Sequence, residues 1–198
     1  MIVKIAEKAL QAALAKPLAN LGFADRSELA YSRDHADHVD VLVFPGRLED
    51  GTYKFACDVG VRFPAIEAIL RPDDNSQFSK TVWKPIYTLC GNEYFEWQFF
   101  TESELSNIVD NVIDKVSGPA SDFLSKYGRL SVVADALESP NPSDCFHLDA
   151  SNMPSSARPS PSTKAMIVWL WKSLTMRWLS RVISDHFQGA SSRCSKTD

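Results

Sequence analysis

A run of twelve residues constrains the fold of this chain more than any other part of its sequence. In TYKFACDVGVRF, residues 52–63, large apolar side chains and a cysteine occupy every second position. Successive side chains of a strand point to opposite faces of a sheet, so the alternation predicts a single strand with one buried face. The predicted buried face consists of Tyr53, Phe55, Cys57, Val59, Val61 and Phe63. The opposite, polar face consists of Lys54, Asp58, Gly60 and Arg62.

Further strands are predicted on both sides of this run. Residues 29–33 and 39–44 have the character of two strands joined by a polar turn, and Asp50-Gly51 is a typical hairpin turn. Residues 81–89 and 93–100 flank a Cys-Gly-Asn turn and predict a second hairpin. Its last strand is expected to place Tyr94, Glu96 and Gln98 opposite Phe95, Trp97 and Phe99.

The chain begins with a helical pattern. Apolar residues recur at helical spacing through residues 3–21, and Gly22 follows them as a C-terminal cap. Pro17 lacks an N–H group, so we expect it to kink or split this helix.

Helical patterns return after the strands. Residues Thr101 and Glu104 have the spacing of a capping box and open a helix with an apolar stripe. We expect Gly118-Pro119 to interrupt that helix. Two more short helices are predicted before residue 139.

These elements predict an α+β domain over residues 1–138, in which a curved antiparallel sheet of about five strands packs against helices. Composition then changes, because residues 139–163 contain five Pro and seven Ser among 25 residues and predict a linker. Residues 164–187 predict an added C-terminal helix. Residues 188–198 predict a disordered tail.

Charge is divided unevenly along the chain. Residues 1–157 carry 14 Lys or Arg against 23 Asp or Glu, a net charge of −9, whereas residues 158–198 carry 7 against 2, a net charge of +5. The total of −4 argues against nucleic-acid binding by the whole chain. The basic C-terminal part could bind something acidic, including the rest of the same chain.

The sequence favours a cytoplasmic protein. The first residues carry Lys4, Glu7 and Lys8 and lack the continuous apolar core of a signal peptide. No run of about 18 apolar residues predicts a membrane span. The four cysteines are far apart and form no C-x-x-C pair, so we interpret them as reduced thiols.

Several short motifs occur in an order that resembles a known family. KPLANLGF, DVGVRFPAIEAIL, WQFFTESELSNIVDNVID and FLSKYGRLSVVADAL follow one another within residues 4–138. Their order is similar to that of the bacterial family called domain of unknown function 4304. The matching positions are Pro17, Leu21, Gly22, Phe23, Gly60, Val61, Phe63, Pro64 and Trp97. The resemblance implies an α+β domain with a curved antiparallel sheet and implies no activity; the segment after Leu137 has no counterpart in it.

Two clusters hold groups of the kinds that bind metals or act as nucleophiles. His35 and His38 lie among aspartates, but a spacing of three in a turn does not make their rings converge as a spacing of four does on a helix, so we expect a solvated polar turn. Cys145 and His147 lie in the predicted linker with no oxyanion hole in view. We therefore predict no catalytic residue, no metal and no cofactor.

The polar face of the predicted sheet is a candidate ligand site. On it, Arg62 would hold an anion while Asp58 or Glu96 acts as a base. The alternative is the ordinary solvent-facing side of an antiparallel sheet. The candidate residues are Lys54, Asp58, Arg62, Tyr94, Glu96 and Gln98.

The predicted C-terminal helix is a candidate interface. It is apolar on more than one face and its basic residues are not segregated, unlike those of a membrane-surface helix. It either docks on its own domain or meets a partner through Trp and Arg, which are frequent hot-spot residues. The candidate residues are Trp169, Trp171, Lys172, Arg177, Trp178 and Arg181.

We therefore expect a non-catalytic protein–protein interaction domain with one specific protein partner and no membrane contact. An immunity protein, an antitoxin-like partner or an accessory subunit of a bacterial defence or toxin system fits an acidic domain that covers a basic cleft. Two alternatives stay open: an enzyme or small-ligand binder on the polar sheet face, and nucleic-acid contact through residues 158–198.

Overall fold

A computed structural model describes residues 2–27, 29–70, 80–91, 93–138 and 147–148 of the chain. The predicted C-terminal helix and tail lie outside these residues, as does the predicted linker apart from residues 147–148. The described part combines helices with antiparallel sheets, so the predicted α+β class is confirmed.

Within the described residues the strands form two antiparallel sheets. The larger sheet has the strand order β1-β2-β3-β6-β7-β9 and the smaller sheet has the order β4-β5-β8. The strands of the larger sheet are β1 (Ala24–Ser27), β2 (Ala30–Asp34), β3 (Val39–Val43), β6 (Asp58–Arg62), β7 (Val82–Pro85) and β9 (His147–Leu148). Those of the smaller sheet are β4 (Gly46–Glu49), β5 (Thr52–Phe55) and β8 (Trp97–Phe99).

Helices precede, interrupt and follow the strands. The helices of the described part are α1 (Ile2–Asn20), α2 (Pro64–Leu70), α3 (Ile86–Leu89), α4 (Leu105–Lys115), α5 (Ser121–Tyr127) and α6 (Leu130–Glu138). A 3₁₀ turn (Glu102–Glu104) precedes α4, and a π-helical turn (Val116–Ala120) joins α4 to α5. None of these helices combines the length and the apolar character needed to cross a membrane.

The first helix is anchored by leucines one turn apart. Leu10, Leu14 and Leu18 are fully buried. Helix α1 continues through Pro17, so the expected split does not occur; the buried leucines on both sides of the proline hold the helix in the core. Gly22 ends it as predicted, with φ of 83°. The Gly22 and Phe23 N–H groups donate to the carbonyls of Ala19 and Leu18, which is a Schellman motif.

The predicted twelve-residue strand is divided between the two sheets. Its first part is β5, its second part is β6, and Ala56 and Cys57 form the break. The Ala56 N–H donates to the Pro45 carbonyl and the Cys57 carbonyl accepts from Ile86, which satisfies the backbone at the break. The predicted buried face is nevertheless confirmed, because all six of its side chains are buried.

The predicted second hairpin is wrong. Strand β7 pairs with β6 in the larger sheet, whereas β8 pairs with β5 in the smaller sheet. The short helix α3 lies between them, and Tyr94 and Glu96 precede β8 instead of lying within a strand. The division of the long strand is the reason, because its two halves take their next partners in different sheets.

The expected interruption at Gly118-Pro119 takes the form of a π-helical turn between α4 and α5. The chain stays helical from Leu105 to Tyr127, with the π-helical turn absorbing the proline. The capping box is not formed. Thr101 makes no side-chain cap, and the Glu104 carboxylate accepts from the Phe100 N–H at 2.8 Å, one residue earlier than the box requires.

Candidate functional site

The six residues of the predicted ligand face fall into two groups. Lys54 and Gln98 lie opposite each other on β5 and β8 of the smaller sheet, and Tyr94 and Glu96 precede Gln98 in sequence. Asp58 and Arg62 lie on β6 of the larger sheet. The structure thus does not assemble one polar platform from all six.

The group on the larger sheet does not form an open face. The Lys80 ammonium pairs with the Asp58 carboxylate at 3.1 Å, and its aliphatic chain lies so close to Gly60 that a Cβ there would approach it to 2.7 Å. Val41, directly opposite Gly60, is fully buried. The expectation of a solvent-facing groove here is wrong, because the lysine stem covers the strand; the Arg62 Nε is also buried, without a hydrogen bond.

The group on the smaller sheet belongs to an exposed network of ion pairs. Arg47 on β4 lies opposite Lys54 and donates to the Glu96 carboxylate from two nitrogens, one of them at 2.8 Å. Lys54 pairs with Glu49 at 2.8 Å. Tyr94 also contributes to lowering the pKa of Glu96. Sequence analysis missed Arg47 and Glu49, although the register that an Asp50-Gly51 turn imposes places both beside Lys54.

These contacts set the protonation of the acids. The hydrogen bond from Arg47 holds the pKa of Glu96 below its ordinary value, against the opposing effect of desolvation. The hydrogen bond from Lys54 likewise lowers the pKa of Glu49. A general base that works near neutral pH needs a raised carboxyl pKa, so neither acid matches that role.

Two exposed aromatic side chains flank this network. Tyr94 is 66% exposed and rests edge-on against Tyr87, while Phe100 is 70% exposed beside the turn at Gly51. We call the surface formed by Arg47, Glu49, Lys54, Tyr94, Glu96, Gln98 and Phe100 the outer face of the small sheet.

Two clefts on the described part lie elsewhere. One, of about 470 Å³, opens between α1 and the segment around Phe44 and Gly46. The other, of about 570 Å³, lies beside the π-helical turn and α5. Neither is lined by any of the six predicted ligand residues.

The histidine turn differs from the expectation. The rings of His35 and His38 are stacked with centroids 4.3 Å apart and planes 10° apart. The His35 N–H donates to the His38 carbonyl across the loop that joins β2 to β3, so the two residues are cross-strand neighbours. The sequence left open whether the rings converge; they do, because a spacing of three brings side chains together at the end of a hairpin.

A buried carboxylate lies beneath the two rings. The Asp40 side chain is 2% exposed, and its Oδ2 accepts from Arg33 at 2.8 and 3.0 Å. His35 Nε2 lies 2.8 Å from the same oxygen. Arg33 faces Asp40 across the strands and stacks on the Phe23 ring, so these groups share the sheet face that packs on the helices. His38 Nδ1 contacts the Asp37 carboxylate at 2.7 Å.

The remaining predicted residues lie outside the described part. This applies to the six candidate interface residues of the C-terminal helix and to Cys145. Whether the helix docks on its own domain or on a partner stays a prediction.

No protein-family model, no curated protein and no solved structure matches the chain. The resemblance to domain of unknown function 4304 stays a prediction based on the order of the motifs.

Proposed function

We propose that this chain is a non-catalytic protein–protein interaction domain and that the outer face of the small sheet is its contact surface. The observation that carries the proposal is the pair of aromatic side chains, Tyr94 and Phe100, exposed at the two ends of a paired charge network. Aromatic residues and Arg are enriched in protein interfaces relative to the rest of a protein surface.

A partner that covers this face removes its aromatic and charged side chains from water, with a different effect on each. Exposed Tyr94 and Phe100 offer apolar area whose removal from water favours binding. Arg47 and Lys54 already have carboxylate partners, so covering them does not leave a lone charge without water. Such a face supplies aromatic anchors and preorganised polar contacts.

The acid–base properties of the described residues support binding in preference to catalysis. The pKa of Glu96 and that of Glu49 are lowered by their cationic partners. Burial raises the pKa of the Cys57 thiol well above its ordinary value, which disfavours the nucleophilic thiolate. These groups lack the activation that acid–base or thiol chemistry needs.

The net charge indicates the class of partner, and the thiols indicate the compartment. The net charge of −9 over residues 1–157 complements a basic surface, such as the catalytic cleft of a toxin that acts on nucleic acid. An immunity, antitoxin-like or accessory role in a bacterial defence system follows as the finer proposal. Cys57 and Cys90 are free thiols, which fits a reducing compartment such as the cytoplasm.

The test is purification of the tagged full chain from the cells that encode it, followed by size-exclusion chromatography with light scattering. We expect one protein partner at fixed stoichiometry. Phe100→Ser and Tyr94→Ser should each weaken the reconstituted complex at least about 10-fold, as loss of an interface hot spot does.

Ile5 provides the matched control. It is also a large apolar residue, 57% exposed, but it lies on α1. Ile5→Ser should leave the affinity unchanged. A monomer without a partner, or equal losses in the Ile5 and Phe100 variants, would contradict the proposal.

A further inference from the structure

We propose that His35, His38 and Asp40 form a binding site for one divalent transition-metal ion of the Zn²⁺ class. The inference is independent of the proposed interaction surface, which lies on the other sheet. It rests on the convergence of three ligand groups, on an unsatisfied buried oxygen and on the tautomer that Asp37 imposes on His38.

The three side chains each offer a ligand atom within 4.8 Å of the others. Bonds from Zn²⁺ to nitrogen or oxygen measure about 2.0–2.2 Å, so tetrahedral coordination holds its ligand atoms about 3.3–3.6 Å apart. A ring movement of about 1.2–1.5 Å closes the difference. His35 is at the loop and its side chain is 37% exposed, so it has room to make that movement.

The buried carboxylate has one oxygen without a hydrogen bond. Asp40 Oδ1 is buried and unpaired, and His38 Nε2 lies 3.7 Å from it. Burying a carboxylate oxygen without a hydrogen-bond partner costs free energy, because the oxygen loses its contacts with water and no protein group replaces them. The position between Oδ1 and Nε2 therefore favours a cation.

The hydrogen bond at the other ring nitrogen of His38, Nδ1, also favours a cation at this position. The Asp37 carboxylate accepts a hydrogen bond from the Nδ1–H group of His38 at 2.7 Å. In a neutral imidazole the other nitrogen then carries a lone pair, so Nε2 and Asp40 Oδ1 face each other as two acceptors. A metal ion between them satisfies both, and the carboxylate–histidine arrangement is the usual second shell of a zinc-binding histidine.

The surrounding residues leave one oxygen of Asp40 available to bind the ion. Arg33 occupies Asp40 Oδ2 with two N–H groups, which leaves Oδ1 as the ligand atom. The two carboxylates of Asp37 and Asp40 and the one guanidinium give a net charge of −1 before an ion binds. When the ion binds, His35 exchanges its hydrogen bond to Oδ2 for a metal bond, and its proton moves from Nε2 to Nδ1 through solvent.

Gly128 provides the space for the His38 ring. A Cβ at this position would lie 2.7 Å from His38 Nε2 and 2.9 Å from the Leu124 carbonyl oxygen. The backbone of Gly128 has φ of −66° and ψ of −8°, which any residue adopts. The glycine at the junction between α5 and α6 therefore leaves space for the imidazole ring and is not required by the backbone conformation.

The ligand set indicates the kind of metal. Two imidazoles and one carboxylate suit Zn²⁺, Co²⁺, Ni²⁺ or Cu²⁺, whereas Mg²⁺ and Ca²⁺ prefer oxygen ligands alone. Three protein ligands leave a fourth position for water, which can enter beside the partly exposed His35.

The experiment is titration of the reduced full chain with Co²⁺, followed by visible absorption, and with Zn²⁺, followed by calorimetry. We expect one saturable site, with the d–d bands of bound Co²⁺ and no thiolate-to-cobalt charge-transfer band. His35→Gln and His38→Gln should each lower the affinity by at least about 10-fold, and Asp37→Asn by about 10-fold as a second-shell change.

Two controls keep the result specific. Asp34→Asn removes a carboxylate that lies at the same loop but pairs with Arg26 at 2.6 Å, and His186→Gln removes a histidine elsewhere in the sequence. Both should bind Co²⁺ as the parent does. His35→Gln is expected to fold, because the side chain is partly exposed, and its urea midpoint verifies this.

Three outcomes would overturn the proposal. The first is no saturable binding at about 1 mM metal, a concentration at which even a very weak site is half occupied. The second is a thiolate band, which would assign the metal to cysteine. The third is a folded His35→Gln variant that binds as tightly as the parent chain, since His35 would then not be a ligand.

Discussion

Two hairpins of this protein carry similar charged residues but bury them differently. The β2–β3 hairpin of the larger sheet places Asp40 under the helices, with only 2% of its side chain exposed. The β4–β5 hairpin of the smaller sheet holds Arg47 and Glu49 at the surface, about half exposed. Each acid has a cationic partner, so the difference between the hairpins is access to water.

Burial decides what each cluster can do. Around Asp40 water is excluded, so an unmatched atom such as Oδ1 stays unmatched unless another group or an ion supplies a partner. Around Glu49 and Glu96 water and salt compete with every contact, so the ion pairs contribute little to stability and can rearrange against a partner protein. The first environment suits a fixed site and the second suits a contact surface.

The largest effect is expected from removing the buried charge. Asp40→Asn leaves the Arg33 guanidinium without its counter-ion, and we expect a loss of about 3 kcal/mol of unfolding free energy, at the low end for broken buried pairs since Arg33 is partly exposed. Glu96→Gln, which removes the carboxylate paired with Arg47 of the other hairpin, should cost far less. Urea denaturation with a metal chelator present measures both, and equal losses would show that burial does not separate the two clusters.

The next effect tests the packing on the β2–β3 hairpin. Gly128→Ala should lower the unfolding free energy by about 1–2 kcal/mol, because the new methyl group meets both His38 and the backbone of Leu124. Gly118→Ala is the control, since nothing lies within 4 Å of a Cβ at that position. That variant should keep or slightly raise the stability. Unchanged stability in the Gly128 variant would mean that His38 is not held against this junction.

A smaller effect is expected at the turn of the β4–β5 hairpin. Asp50 and Gly51 have φ of 50° and 78°, the left-handed conformation of a tight hairpin turn. Gly51→Ala should cost about 1 kcal/mol, because a Cβ is strained there. Asp50→Gly should be neutral or stabilising at the turn. Thermal unfolding of the two variants compares them directly, and a stabilised Gly51→Ala variant would contradict the turn geometry.

The smallest effect is a pH dependence of the exposed network. Arg47 lowers the pKa of Glu96 in the folded chain below its ordinary value of 4.5. The pair therefore stabilises the fold above that pH and loses its contribution as the pH falls through the lowered pKa. Arg47→Ala should make the decline of Tm between pH 5 and about pH 3 shallower than in the parent chain. An unchanged slope would show that the pair contributes nothing to folding.

Particular residues show which parts of the fold were predictable. The spacing of Leu10, Leu14 and Leu18 placed a buried helix correctly, and Gly22 ended it where expected. The alternation from Tyr53 to Phe63 identified buried side chains correctly even though the strand is broken. These features depend on local periodicity and backbone conformation, which neighbouring residues specify by themselves.

Strand partners were less predictable. Residues 81–89 and 93–100 have the composition of a hairpin, yet β7 and β8 join different sheets. Alternation says which face of a strand is apolar, but it does not say which strand lies beside it. For the same reason, the sequence did not show that Asp58 and Lys54 lie in different sheets, or that Arg47 pairs with Glu96.

For the candidate site, the residue types were visible in the sequence and their surroundings were not. The sequence alone determined the α+β class, the buried faces and the location of charged and aromatic residues along the chain, because propensity and periodicity are properties of short segments. Only the tertiary structure decided that Lys80 covers one polar face, that the outer face of the small sheet stays open, and that His35 and His38 stack over a buried Asp40. Burial and partnership depend on residues distant in sequence, and they decide whether a charged group becomes a surface contact or a site.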